Sequence, residues 1–282
     1  MDLTPFAADV GADGPVTITG MGTRGGPCPG VRAVSAPSGI ERIEPAEMTV
    51  VCGAGTPVDE LTEALGEVRQ TVSLPGGGTV GGALAIGHSG LRLLGDGPIR
   101  NAVLQIQYVS ASGAVVKAGG PTVKNVSGFD LCRLFVGSRG TLGFIGSVIL
   151  RTRPLARHAA WFSVDLDDPT DLQARLFRPV SLLWNGTTAW VLLEGHPDDV
   201  AAQARACALR PVDGPPSLPA HRTVLPWARC SRVTGQFVAL VGTGVVFTSE
   251  PVAAPAPTDR LAALTGAVKA RFDPSGRLNP SR

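Results

Sequence analysis

The sequence predicts an α+β protein of two units, and three observations predict it. Glycine (36) and proline (24) together make up about a fifth of the 282 residues, while charged residues supply only 17%. Such a chain is broken into short elements and tight turns, which excludes a bundle of long helices. Apolar residues reach 44%, enough for a sizeable core and too many for a disordered chain. After Pro154 the texture changes to a β-α-β-β-α-β succession, the order of a small ferredoxin-like unit. The expected boundaries are 1–154 for the larger unit, with a lobe boundary near 75, then 155–255 for the smaller. Residues 256–282 return to the first unit.

The elements follow in order. Residues 16–19 (VTIT) form a β run that enters the glycine cluster GMGTRGGPCPG. Residues 47–52 (EMTVVC) read as a strand ending at Gly53. Thr56 then caps a helix over PVDELTEALGEV, with Pro57 at its first position and Asp59 and Glu60 in its first turn. A second glycine-rich segment, PGGGTVGGALAIGHSG, covers 75–90, and Thr79 is placed to cap a short helix within it. AVLQIQYVSA and GAVVKAGG make a hairpin across Ser112–Gly113. Asp130 caps LCRLFV, and RGTLGFIGSVILRTRP returns as a strand.

In the second unit WFSVDL is a strand and PTDLQARLF a helix. VSLLWNG and TAWVLLEG pair across Gly186, and PDDVAAQARACAL is a second helix. A proline-rich loop from Pro211 to Pro226 leads to FVALVGTGVVF, the last strand. SEPVAAPAPT links to a final helix and the tail RFDPSGRLNPSR.

Charge and cysteine content narrow the class. The formal net charge is +2 with Lys and Arg scattered, so neither a nucleic-acid stripe nor a polybasic membrane patch is expected. The first residues carry Asp2 and Asp9 and no apolar run, unlike a signal peptide. The longest apolar stretch, Phe237 to Thr248, is too short to cross a bilayer. Five cysteines without metal-like spacing read as free thiols in a reducing compartment, hence a cytoplasmic protein. No two histidines stand at metal spacing, so no metal is expected.

Gly20, Met21, Gly22, Thr23, Arg24 and Gly25 match G-x-G-x-x-G behind a strand. A Rossmann site needs a helix starting at that loop, with its positive end toward the pyrophosphate. Here the loop runs into Gly26-Pro27-Cys28-Pro29-Gly30, which starts no useful helix. A P-loop is excluded because no Gly-Lys-Ser/Thr follows a glycine run. What remains is a nest of open amides suited to phosphate oxygens. Gly81, Gly82 and Gly87 permit close approach of a flat or anionic ligand. Each loop alone reads first as a set of turns, because a lone glycine motif is weak; two loops, each behind a β run, favour a dinucleotide in one large pocket.

At that point the ordered motifs resemble a family. GMGTRGG, PAEMTVVCGAGTPVDEL, GTVGGALAIGHSG, VKNVSGFDLCRLFVGSRGTLGFIGSVILRTRP and the tail KARFDPSGRLNP are similar to the vanillyl-alcohol-oxidase-like, PCMH-type FAD-binding flavoproteins. Among these they resemble most the FAD-binding subunits of bacterial glycolate oxidases. The likeness runs from Val16 to Pro154 and over the last dozen residues; residues 155–255 share only the general layout. It implies a two-lobed PCMH-type domain with a small ferredoxin-like second domain. It implies that Gly20 to Arg24, with Gly25, hold the pyrophosphate of FAD. Pro75, Thr79, Gly81, Gly82, Ala85, Gly87, His88, Ser89 and Gly90 then line the pyrophosphate and ribityl side. Gly143, Phe144 and Ile145 meet a ring of the cofactor through backbone groups, and Lys124 and Asn125 lie near it. The first loop has no His or Cys of the kind some relatives link to FAD, so the flavin is expected to be non-covalent.

The implied activity is oxidation of a small 2-hydroxy acid such as glycolate, with hydride passing to the flavin and electrons leaving to a partner subunit or another acceptor. That chemistry needs a base at the substrate hydroxyl and a cation for its carboxylate. His88, flanked by glycines, is the candidate base, and reads equally as a histidine bonded within its turn. Lys124 is a candidate positive charge beside the flavin. Arg24 is a candidate bidentate phosphate clamp. Two rival functions stay open: a flavin-binding subunit that assembles a larger oxidase without turning over substrate, and a flavoenzyme with another alcohol or lactone donor.

Overall fold

A computed structural model of the chain describes residues 1–121, 130–230, 233–253 and 256–281. Lys124 and Asn125 lie outside them. The chain divides into two compact units. One comprises Met1–Gly90, Pro98–Leu155 and Thr258–Arg282; the other comprises Leu91–Gly97 and Ala156–Pro257.

The first unit opens with a helix, α1 (Thr4–Val10), that the sequence reading left unassigned; Phe6 and Val10 are its buried face. The strand β1 (Val16–Thr19) pairs in parallel with β2 (Arg32–Ser35). The glycine cluster connects them without a helix. β3 (Ile40–Glu44) and β4 (Thr49–Gly53) form an antiparallel pair. The helix α2 (Val58–Glu67) follows, burying Val58, Leu61 and Leu65. Its cap differs from the one expected, because Pro57 occupies that position with no side-chain bond. The Thr56 hydroxyl instead accepts from the Gly39 amide (2.9 Å) and donates to the Gly39 carbonyl (3.1 Å), tying two loops together.

A two-residue strand, β5 (Gln70–Thr71), precedes α3 (Val80–Ile86), whose cap Thr79 accepts from the Gly82 amide as expected. The short α4 (Leu93–Asp96) belongs to the second unit. β6 (Val103–Val109) and β7 (Val115–Gly119) make the anticipated hairpin. Asp130 caps α5 (Leu131–Phe135). β8 (Phe144–Arg151) runs through the middle of a five-stranded antiparallel sheet, β3-β4-β8-β6-β7, and the short β9 (Arg153–Pro154) pairs with β5. Seven of the eight β8 residues are buried, as a central strand covered on both faces requires. The sheet takes strands from both sides of residue 75, so no lobe boundary divides it there. Leu61, Leu65, Leu84, Phe135, Ile106 and Leu150 form the centre of this core.

The second unit is a seven-stranded antiparallel sheet with the order β13-β10-β12-β11-β15-β16-β14. It is built from β10 (His158–Asp165), α6 (Thr170–Arg175), β11 (Ser181–Trp184), β12 (Thr188–Gly195), α7 (Pro197–Ala206) and β13 (Arg210–Val212). These give the ferredoxin-like β-α-β-β-α-β unit, with its fourth strand at one edge. That strand is Arg210–Val212 rather than FVALVGTGVVF. The latter folds back on itself as the hairpin β15 (Phe237–Leu240) and β16 (Val245–Thr248), turning at Gly242 and Gly244, both at positive φ. The proline-rich loop contributes β14 (His221–Val224) at the far edge, and the four-residue α8 (Trp227–Cys230) follows it. Among the described residues no helix is long and apolar enough to cross a membrane.

The last helix, α9 (Asp259–Phe272), is capped by Thr258 and returns to the first unit. Beyond it the buried Asp273 carboxylate accepts from Lys269 Nζ (2.8 Å) and from the amides of Arg277 (3.0 Å) and Leu278 (2.9 Å). The Arg277 guanidinium, also buried, donates to the carbonyls of Val10, Gly11, Asp13, Gly14 and Ala111. These bonds fix the tail beside β1, where Leu278 bridges Val16.

Candidate functional site

The first unit contains an open cleft that encloses ≈ 770 Å³ of space, solvent at its mouth included. Both glycine loops border it. Gly20 to Gly25 form one wall; Thr79, Gly81, Gly82 and Ala85 form another; Gly143, Phe144 and Ile145 complete the group that was expected. The loops touch directly. A Cβ added at Gly20 would stand 3.0 Å from Thr79 Oγ1, and one at Gly78 would collide with Thr23 and Arg24. The absence of side chains is therefore what lets the bends meet.

The bends differ in what they offer a ligand. In the first, the amides of Gly20, Met21 and Gly22 donate to no other group of the described residues. They are open donors. In the second, the first turn of α3 is already consumed. Val80 donates to Thr56 O (2.9 Å), Gly81 to Ala54 O (2.7 Å) and Gly82 to Thr79 Oγ1 (3.1 Å). Gly81 is required by packing, since a Cβ there would sit 2.9 Å from Ala54. The first bend therefore presents open amides, and the first turn of α3 does not.

Arg24 also departs from its expected role. Its Nη1 donates to Gly77 O (2.6 Å), and its Nη2 to Pro75 O (2.8 Å) and Gly76 O (2.9 Å). Burial pulls its pKa down, and Asp59 partly offsets that. Asp59 in turn accepts from the Gly77 amide (3.0 Å). The guanidinium is thus a tie between the two loops, made with three of its five N–H donors.

Pro75, Gly87, His88, Ser89 and Gly90 are not among the residues lining the cavity. A Cβ at Gly87 would press on Gly137, and Ser89 Oγ accepts from the Ile99 amide (3.1 Å). His88, the candidate base, is therefore not brought to this cavity. Lys124 and Asn125 lie outside the described residues. In exchange the cavity takes in Ile18, Ala54, Gly55, Ser138, Arg139 and Asn279, which the sequence reading missed. For Asn279 the signal was present in the closing motif RLNP, and for Arg139 in GSRGTLGF, but neither spacing shows that 139 and 279 meet.

Those two residues are linked. Asn279 Nδ2 donates to Arg139 O (2.7 Å), while its Oδ1 accepts from Thr17 Oγ1 (2.7 Å) and the Ile18 amide (3.1 Å). Among the described lining residues Arg24 and Arg139 alone carry a formal charge, and Asp59, which acts on Arg24, is not one of them. Open amides, glycine walls and cations without acids suit an anionic ligand. A dinucleotide's diphosphate matches that chemistry, and the residues present fit FAD on these grounds.

Comparison with known proteins defines the class. Residues 12–119 match the family described as FAD binding domain. Over that stretch the chain is similar to FAD binding domains, in agreement with the family its motifs resemble. Particular relatives follow. Over 179 residues the chain is 31% identical to "Glycolate oxidase subunit GlcE" of Escherichia coli, covering 58% of this chain and 50% of that protein. Over 112 residues it is 39% identical to "D-lactate dehydrogenase" of Archaeoglobus fulgidus, covering 38% of this chain and 25% of that one. The chain thus spans between a quarter and half of the length of these relatives. The fold is shared with a solved alkyldihydroxyacetonephosphate synthase, with a TM-score of 0.68 and 12% identity over 99% of this chain and 72% of the other.

Proposed function

We propose that the chain is an FAD-dependent oxidoreductase, or the FAD subunit of one, that oxidises a small 2-hydroxy acid such as glycolate or lactate. The observation that carries the reading is the cavity bordered by a loop of open amides, with Arg139 on its wall and no carboxylate among its described lining residues. The relatives named for glycolate and D-lactate supply the substrate class. When bound, FAD supplies a two-electron acceptor for a hydride leaving an α-carbon.

The chain's own residues hold and shape. The amides of Gly20, Met21 and Gly22 bind diphosphate oxygens, and Arg24 keeps the 75–77 turn on the first loop. Ile18, Ala54 and Gly55, all on the cavity lining, offer apolar surface to a ring system. No His, Cys or Tyr lines the cavity among the described residues, which supports non-covalent flavin. The relative named as a subunit supports work alongside partner chains, and five buried cysteines outside any disulfide support a reducing, cytoplasmic setting.

The test is spectroscopic. Purified protein should show a flavin spectrum, release the flavin into the supernatant on acid precipitation, and bleach anaerobically with glycolate or D-lactate. A colourless protein that takes up no FAD overturns the flavin reading. A yellow protein that stays oxidised with every 2-hydroxy acid overturns turnover by this chain alone and leaves the assembly-subunit reading.

A further inference from the structure

We propose that Arg139 is the cation that meets the diphosphate of the bound dinucleotide; this rests on the FAD reading above. Arg24 is the obvious candidate by position, but three of its five N–H donors are engaged by the carbonyls of Pro75, Gly76 and Gly77. Arg139 is the other charged residue among those described on the cavity wall. Its side chain is exposed and makes no hydrogen bond or ion pair among the described residues.

Its backbone is held in a way that its side chain does not require. Arg139 has φ +53°, in the left-handed region, between Gly137 and Gly140 at positive φ. A glycine at 139 would take the same conformation without Cβ strain. Six non-glycine residues among those described have positive φ, and the two that line the cavity, Arg139 and Asn279, are bonded to each other. On its other side the Arg139 amide donates to Ala85 O (2.8 Å), at the cavity wall. Bonds to two other segments, at Asn279 and Ala85, thus hold one strained arginine on the wall of the cavity that the Gly20–Gly22 loop also lines. Strain held this firmly marks functional positions. The amides supply geometry for phosphate oxygens, and the guanidinium supplies the charge that they lack.

The test titrates apoprotein with FAD, with ADP (a diphosphate without the ring system) and with riboflavin (the ring system without phosphate), at several salt concentrations. Arg139→Gln and Arg139→Gly should each weaken FAD and ADP binding about tenfold or more. They should also flatten the salt dependence and leave riboflavin unaffected. Arg139→Gly relieves the backbone, so it should melt no lower than wild type while binding worse, a combination that a merely structural role does not give. Wild-type FAD and ADP affinity in both variants overturns the proposal while the flavin reading stands. A loss for riboflavin without one for ADP overturns the assignment to the diphosphate. A wild-type protein that binds neither FAD nor ADP overturns the flavin reading and this inference with it.

Discussion

Replacing Arg24 with alanine separates two roles for one guanidinium. In the structure it makes three charge-assisted hydrogen bonds to the 75–77 carbonyls. A buried bond of that kind contributes about 1.5–3 kcal/mol. Arg24 is only half-buried and the released carbonyls can take water, so we expect about 1–2 kcal/mol in total. For a protein of this size that lowers the melting temperature of the apoprotein by about 2–8 °C. FAD affinity should fall about tenfold, because the second loop must then be ordered on binding. The slope of that affinity against salt should be unchanged, since no charge contact with phosphate is lost. Arg24→Lys should restore little, because a single ammonium cannot fork to three carbonyls. The measurements are thermal denaturation of apoprotein and FAD titration at several salt concentrations. An apoprotein that melts like wild type, together with a flattened salt slope, refutes the tie and restores the clamp.

Other perturbations follow from the same contacts. Gly140→Ala places a Cβ at φ +71° and 2.6 Å from Asn279 Nδ2; chemical denaturation should show a loss of about 1–3 kcal/mol. Thr17→Val leaves the buried Cys28 amide without its acceptor and Asn279 without one donor; it should cost about 1–3 kcal/mol in urea melts and weaken FAD binding. Burial opposes ionisation of Asp273, but Lys269 and the amides of Leu278 and Arg277 outweigh it and hold its pKa below 3.8. A lowered carboxyl pKa gives stability that is complete above the unfolded value and lost as pH falls through the folded one. Asp273→Asn should therefore destabilise at pH 7 and flatten the acid limb below about pH 4. Desolvation pushes the Cys52 thiol up to about 12, so native protein at pH 8 should resist alkylation there, as peptide mass spectrometry will report.

How much of this was legible depends on the range of each contact. The first glycine loop, the Thr79 and Asp130 caps and the 103–119 hairpin are set by residues within a few positions, and the sequence displayed them. The strands at 32–35 and 40–44 are largely exposed, with only one buried residue between them, so hydrophobic periodicity gave no signal. FVALVGTGVVF read as one strand because its apolar content hides a turn whose cost falls only on Gly242 and Gly244. Thr56 looked like a cap because local rules assign it one; a loop 17 residues away claimed its hydroxyl instead. The Arg139–Asn279 contact spans 140 residues, and no local pattern encodes it.

The absence of a Rossmann helix shifts the burden of binding from a dipole to side chains. A helix N-terminus fixes its own donors, because the helix behind it is rigid. Here the first turn of α3 spends its amides within the protein, and the open donors sit on a loop of glycines with no rigidity of its own. Side chains supply what the loop lacks. Arg24 ties it to the 75–77 turn, and Thr79 packs on Gly20. Behind it runs a continuous series of bonds: the Cys28 amide to Thr17 Oγ1, Thr17 to Asn279, Asn279 to Arg139, and the Arg139 amide to Ala85. The series links the end of the glycine cluster, the first strand, the tail, the 137–140 turn and the helix of the second loop. Members of one hydrogen-bond network couple when substituted. A ligand seated on the first loop therefore reports on Thr17, which is fully buried and absent from the cavity wall. If affinity depends on that residue, preorganisation of the loop, rather than the number of donors it shows, sets how tightly the site holds an anion.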